Sequence, residues 1–193
     1  FALGFYALVL AGSELFTENF LVPVMAAAAG RASLLDLARL WAGTALTNLL
    51  GGWIVMGLVV SAFPRLDDEA IETGRTYAEL GLGWTALAAA ILAGMVITLM
   101  TWMERRAENT VGKLVAATVA AFPLFVGPLI HTVVTAHEMF AALHVGAPFG
   151  YLDAGSAVGL AIVGNNVGGV GLVTALRLTQ VGKGPILASR ADR

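Results

Sequence analysis

Three histidines, His131, His137 and His144, sit close together with Glu138 among them. Histidine and glutamate at short range can hold a zinc ion and activate a bound water. That chemistry needs ligands facing one ion from a single helix turn, as in H-E-x-x-H. Here "HEMFAALH" sets His137 and His144 seven residues apart, so a metalloprotease is rejected and both are expected near the outer interface. There is no cysteine, which excludes disulfides and thiolate metal sites. "GGVGLV" lies in an apolar run with no strand before it, so it is not a dinucleotide loop. No enzyme chemistry, metal or cofactor is expected.

The other polar concentration is "GSELFTENFLVP", residues 12–23. It carries two glutamates, hydroxyls, an asparagine and a proline between "FALGFYALVLA" and "VMAAAA". Residues of those types at mid-depth in a bilayer need a reason. Main-chain groups outside a helix survive there only when buried in protein or lining a wet cavity. Pro23 and Pro128 fit two such interruptions, since proline removes a donor and disrupts the helical ladder. A broken helix also exposes an N-terminus carrying roughly half a positive charge. Two such ends facing one cavity would attract an anion.

The elements that must position these residues follow from composition. Hydrophobic residues make up 58% of the chain and charged residues 12%. A soluble domain carries about 25% charged residues, so a water-facing surface cannot be built here. The net charge of −2 offers no basic face for nucleic acid. Apolar runs of roughly 20 residues are long enough to span a hydrocarbon core about 30 Å thick. The reading is an all-α membrane protein with five crossings, near 1–29, 37–63, 80–103, 111–143 and 154–180. The first is interrupted at 12–23 and the fourth near "GPLIH". "RLDDEAIETGRTYAE", 65–79, reads as an acidic connecting loop.

Alternating crossings collect Arg31, Arg39, Arg105, Arg106, Lys113, Arg177, Lys183, Arg190 and Arg193 on one side, against Arg65 and Arg75 on the other. The positive-inside rule then puts the C-terminus in the cytoplasm of a bacterial inner membrane and Phe1 outside, which implies a preceding crossing. Residues 1–181 are expected to form one transmembrane domain and 182–193 a cytoplasmic tail. An internal repeat supports this count. Asn48-Leu-Leu-Gly51-Gly52 and Asn165-Asn-Val-Gly168-Gly169 each follow a broken crossing, from Thr17 and His131 respectively, by a similar interval. Three crossings per unit make the halves inverted, as in many transporters.

"GSELFTEN", the N-x-x-G-G segment, the "TWM" that ends the next helix, the histidine at the second break and the final "GNNVGG" occur in order. Together they resemble the formate/nitrite transporter family over nearly the whole chain. The resemblance implies an aquaporin-like inverted repeat lacking the first of its usual six helices. It also implies a homopentamer in which each protomer has its own pore for small monovalent weak-acid anions. By that similarity Leu15, Phe16 and Thr17 form a mobile gating loop on the cytoplasmic side, and Phe5 with Leu124 or Phe125 an outer constriction. His131 matches the family's central histidine, able to donate a hydrogen bond to an anion or lend it a proton. Thr17 would orient the ring and Asn165 would add a polar contact on the path. Asn48 and Asn166 are expected to satisfy backbone or helix contacts.

Three departures from the family pattern stand out. A vestibule lysine aligns with Ala78, where Arg75 is the nearest substitute; Gly94 stands where asparagine is common; and Glu138 adds a carboxyl two turns past His131. Two other readings compete: an aquaporin-like channel for a neutral solute, which the missing Asn-Pro-Ala pairs count against, and a non-transporting membrane scaffold.

Overall fold

The computed structural model describes residues 2–127 and 129–181, and every element among them is helical. Phe1, the break residue Pro128 and the tail expected at 182–193 lie outside the described residues.

The first crossing is α1 (Ala2–Ala11), a turn of 3-10 helix at Phe16–Phe20, and α2 (Val22–Ala28). The two arms are bent by 63°. Gly12 makes the corner, with φ at 62°, where a side chain would be strained. Pro23 does not cause the break. It lies in the first turn of α2, where its missing N–H is no loss.

α3 (Leu34–Ala62) begins at a reciprocal cap in which Ser33 and Asp36 each accept the other's backbone N–H. α5 (Trp84–Arg106) ends on Arg105 and Arg106, whose charges complement the helix C-terminus. α3, α5 and the continuous run Tyr151–Gln180 are each long and apolar enough to cross a membrane, and the bent first pair makes a fourth such span. The last run comprises α8 (Tyr151–Asn166), a π-helical stretch over Val167–Thr174 and α9 (Ala175–Val181). The expected fourth crossing is split into α6 (Thr110–Val126), shorter than the other spans, and α7 (Thr132–His144).

The acidic loop expected at 65–79 is instead a helix, α4 (Asp67–Leu80). Asp67, Asp68 and Glu69 occupy its first turn, where negative charge stabilises the exposed N–H groups. Its inner face packs on α7: a Cβ at Gly74 would sit 2.6 Å from that of Ala142. Counting charges hid this face, because Ile71, Gly74, Tyr77 and Leu80 recur at helical spacing among them.

α5 is the central post. Gly94 lies directly against the backbone of Asn165, and Gly168 against the backbone of Ile91 and Met95, leaving no room for a Cβ at either place. The asparagine that the resemblance implies at position 94 therefore has no space here. Small residues in both helices permit this approach. α3 by contrast faces outward along Leu46, Leu50, Ile54 and Leu58, and α6 along Val111, Val115, Val119 and Phe122.

Candidate functional site

The two breaks meet. Thr17 and His131 are 114 positions apart in sequence, yet Thr17 Oγ1 lies 2.7 Å from His131 Nε2 in a fully buried contact. His131 is the N-cap of α7: its Nδ1 accepts the N–H of Val134 at 3.3 Å. An accepting Nδ1 assigns the hydrogen of the neutral ring to Nε2, which then donates to Thr17 Oγ1. The hydroxyl hydrogen of Thr17 is left to point elsewhere.

Each break is held by one asparagine in the same way. Asn48 Oδ1 accepts from the N–H of Phe16 (2.9 Å) and its Nδ2 donates to the carbonyl of Glu14 (3.1 Å). Asn165 Oδ1 accepts from the N–H of Thr132 (2.9 Å) and its Nδ2 donates to the carbonyl of Ile130 (2.9 Å). Both side chains thus clasp the carbonyl and N–H that flank a single residue, Leu15 in one break and His131 in the other. Trp41 Nε1 donates to the carbonyl of Asn19 (3.1 Å), and Thr174 Oγ1 to that of Phe20 (2.7 Å). Side chains thereby supply the partners that lipid cannot.

Asn165 also accepts from Thr132 Oγ1 and donates to the carbonyl of Ala90. Its two donors and two acceptor sites are all used. In this arrangement the asparagine expected on the path holds Thr132 and the carbonyls of Ala90 and Ile130. Asn166 donates to the carbonyl of Ile162, and Asn48 serves the loop, as their sequence reading has it.

A cavity of about 810 Å³ opens beside the breaks and is lined by Phe5, Leu15, Asn48, His131 and His137 among others. Phe16 is turned away from it. It is 3% exposed and packs edge-to-face on Phe20 and Trp41, with centroids 5.2 and 6.4 Å away. Phe5 and Leu124 are buried together with Ile97 and Met100, and Leu15 packs on the same cluster. The pair expected at an outer constriction thus joins the loop leucine, towards the end of α5 that carries Arg105. The reason is that α1 lies along α6, where Tyr6 Oη and Thr118 Oγ1 are 2.6 Å apart. Phe125, the alternative to Leu124, is 71% exposed and outside this cluster.

His137 is the functional candidate that sequence reading missed. It was expected at the outer interface, yet it is half-buried, lines the cavity of His131 and places Nε2 3.3 Å from the carbonyl of Asn48. Its ring lies against Gly52, the second glycine of the first N-x-x-G-G, where a Cβ would collide with it. That glycine was the available signal, since a glycine in a helix can mark a place where another residue approaches closely. His144 is held by α3, with Nε2 3.0 Å from the carbonyl of Trp53. No group of histidines and acids among the described residues could hold a metal ion.

The departures at Arg75 and Glu138 are also placed. Tyr77 Oη donates to Glu138 Oε2 at 2.5 Å between α4 and α7. Arg75 is an exposed residue 3.7 Å from Glu72, and exposed pairs contribute little. For Tyr77→Phe, the lost hydrogen bond to a part-buried carboxyl should destabilise the fold by about 1–3 kcal/mol. A denaturation midpoint equal to wild type in a detergent-solubilised melt would contradict it.

A family profile described as Formate/nitrite transporter matches residues 1–179. The chain belongs to the formate/nitrite transporter family. Comparison with individual curated proteins gives no match. Membership in this family, together with the long apolar helices, makes the chain a multi-pass membrane protein of anion transport and not an enzyme. The family's profile spans both breaks, both N-x-x-G-G segments and His131, so the geometry above is that of its matched region.

Proposed function

We propose that the protein conducts small monovalent weak-acid anions of the formate and nitrite kind through each protomer, with the Thr17–His131 pair at the waist. The supporting observation is that buried 2.7 Å contact, which joins the two interrupted spans at one point. With His131 Nε2–H donating to Thr17 Oγ1, the hydroxyl hydrogen of Thr17 is the donor that a dehydrated anion needs. Leu15, with Phe5 and Leu124 beside it, supplies an apolar collar that excludes hydrated ions. Phe16 anchors the loop that carries Leu15 and Thr17, and that loop is the gate. Residues 1–181 act as one inverted-repeat transmembrane unit with its C-terminal side in the cytoplasm of the inner membrane. Five copies associate through the outward apolar faces of α3 and α6.

Formate and nitrite uptake into proteoliposomes, with and without an inward proton gradient, tests this reading. Gradient-stimulated anion uptake is expected. Neutral-solute flux without anion uptake would favour the aquaporin-like alternative, and no flux at all the scaffold. For His131→Asn we expect a folded protein, because asparagine is itself a good N-cap and can accept from Val134. Its transport should lose the wild-type pH profile over about pH 5 to 8, the range in which histidine changes charge. Identical profiles for the two proteins would remove His131 from any proton role.

A further inference from the structure

A second cavity, of about 440 Å³, lies on the opposite side of the loop, at the end of the bundle that carries Arg105. It is lined by Glu14, Glu18 and Glu104, together with Arg105 and Lys113. The carboxylates could be a solvated cluster, but Glu104 does not fit that description. It is 93% buried by its 7% exposure, and its Oε1 has no hydrogen-bond partner. The described residues give neither Arg105 nor Lys113 a carboxylate within ion-pair distance, although both line the same space. A buried carboxyl oxygen left without a donor is costly, by about 1–3 kcal/mol or more. A proton taken up from the cavity would remove the buried charge. The two cations lie at the rim, exposed, where an anion separated from that proton would stay.

We propose that this cavity is a second weak-acid site, in which Glu104 accepts the proton arriving with the permeant acid while Lys113 and Arg105 hold its anion. The inference rests on the transport reading above and extends it to where acid and base part company. The step balances: HA and the Glu104 carboxylate give A⁻ and the Glu104 carboxylic acid, which then releases its proton to bulk water. Glu18 and Glu14 face the same space and set its negative field, and Lys113 and Arg105 oppose it. Glu18 and Glu14 belong to the gating loop, so loading of Glu104 is adjacent to the gate.

The test uses the full chain in proteoliposomes with two readouts: net formate uptake driven by a proton gradient, and formate–formate exchange, which moves no net proton. Glu104→Gln should lower the ratio of net uptake to exchange by about a hundredfold, the lower end of what a positioned proton-transferring group contributes. Glu104→Asp should recover part of it. An unchanged ratio, whether both rates fall together or neither moves, overturns the proposal. If wild type transports no anion, the function itself has failed, and infrared difference spectra decide the site. Adding formate, against chloride, to protein in nanodiscs should raise a protonated-carboxyl band that Glu104→Gln abolishes. Absence of that band in wild type overturns the site on its own.

Discussion

Asn165→Ala should yield a protein that fails to accumulate in folded form, the largest stability effect expected of any substitution here. The side chain is fully buried and bonds the N–H of Thr132 and the carbonyls of Ala90 and Ile130. Each buried group left unpaired costs about 1–3 kcal/mol, so three orphans approach the whole stability of a typical domain. Loss of the Thr132 N–H partner would also loosen the start of α7, where His131 is the cap. Fluorescence size-exclusion chromatography of the solubilised variant measures this directly, and a monodisperse peak with a wild-type melting midpoint would refute it. Asn165→Asp should be less damaging in one respect only, since it keeps the acceptor for Thr132 but loses both donors.

Gly168→Ala is the second. Its added Cβ would overlap the carbonyl oxygen of Ile91 and lie 3.0 Å from the backbone nitrogen of Met95. Both obstacles are backbone, which cannot rotate away as a side chain can. α5 and the π-helical stretch must therefore separate, at a cost of about 3 kcal/mol or somewhat more. The separation also pulls on the neighbouring Gly169, which lies against Phe20 and Thr98. The loop anchored by Phe20 would shift with it. Lowered thermal stability together with leaky anion flux is expected. Unaltered stability would show that the helices have slack the packing does not reveal.

The pattern of glycines and asparagines explains how much of this arrangement could be read in advance. The N-x-x-G-G segments recur because each supplies one clasp and at least one close approach. The asparagine bonds the two main-chain groups around Leu15 or His131, and the second glycine admits His137 or Phe20. Sequence spacing exposed the recurrence, whereas the four bonds that Asn165 makes to Thr132, Ile130 and Ala90 were not legible in it. Residue type alone could not show them, because an amide serves an anion and a backbone carbonyl equally well.

The same limit applies to helix α4 and to the collar. Charge density concealed the packing face of α4, since its apolar residues are few and interleaved with acids. Phe5 and Leu124 were assigned to a constriction separate from Leu15 because sequence gives depth along a helix but not which neighbour a half-helix chooses. α1 chose α6.

Composition and the lengths of the apolar runs by themselves determined that the solvent is a bilayer, that the main chain is helical there and that two polar interruptions need internal partners. These are consequences of one dielectric, which acts on every residue alike and leaves a mark in the average. Tertiary structure alone decided which groups became the partners: that Thr17 meets His131, that Asn165 is saturated, and that Glu104 keeps a bare oxygen. Those outcomes depend on angstrom-scale contacts between distant segments, and local sequence carries no measure of such distances.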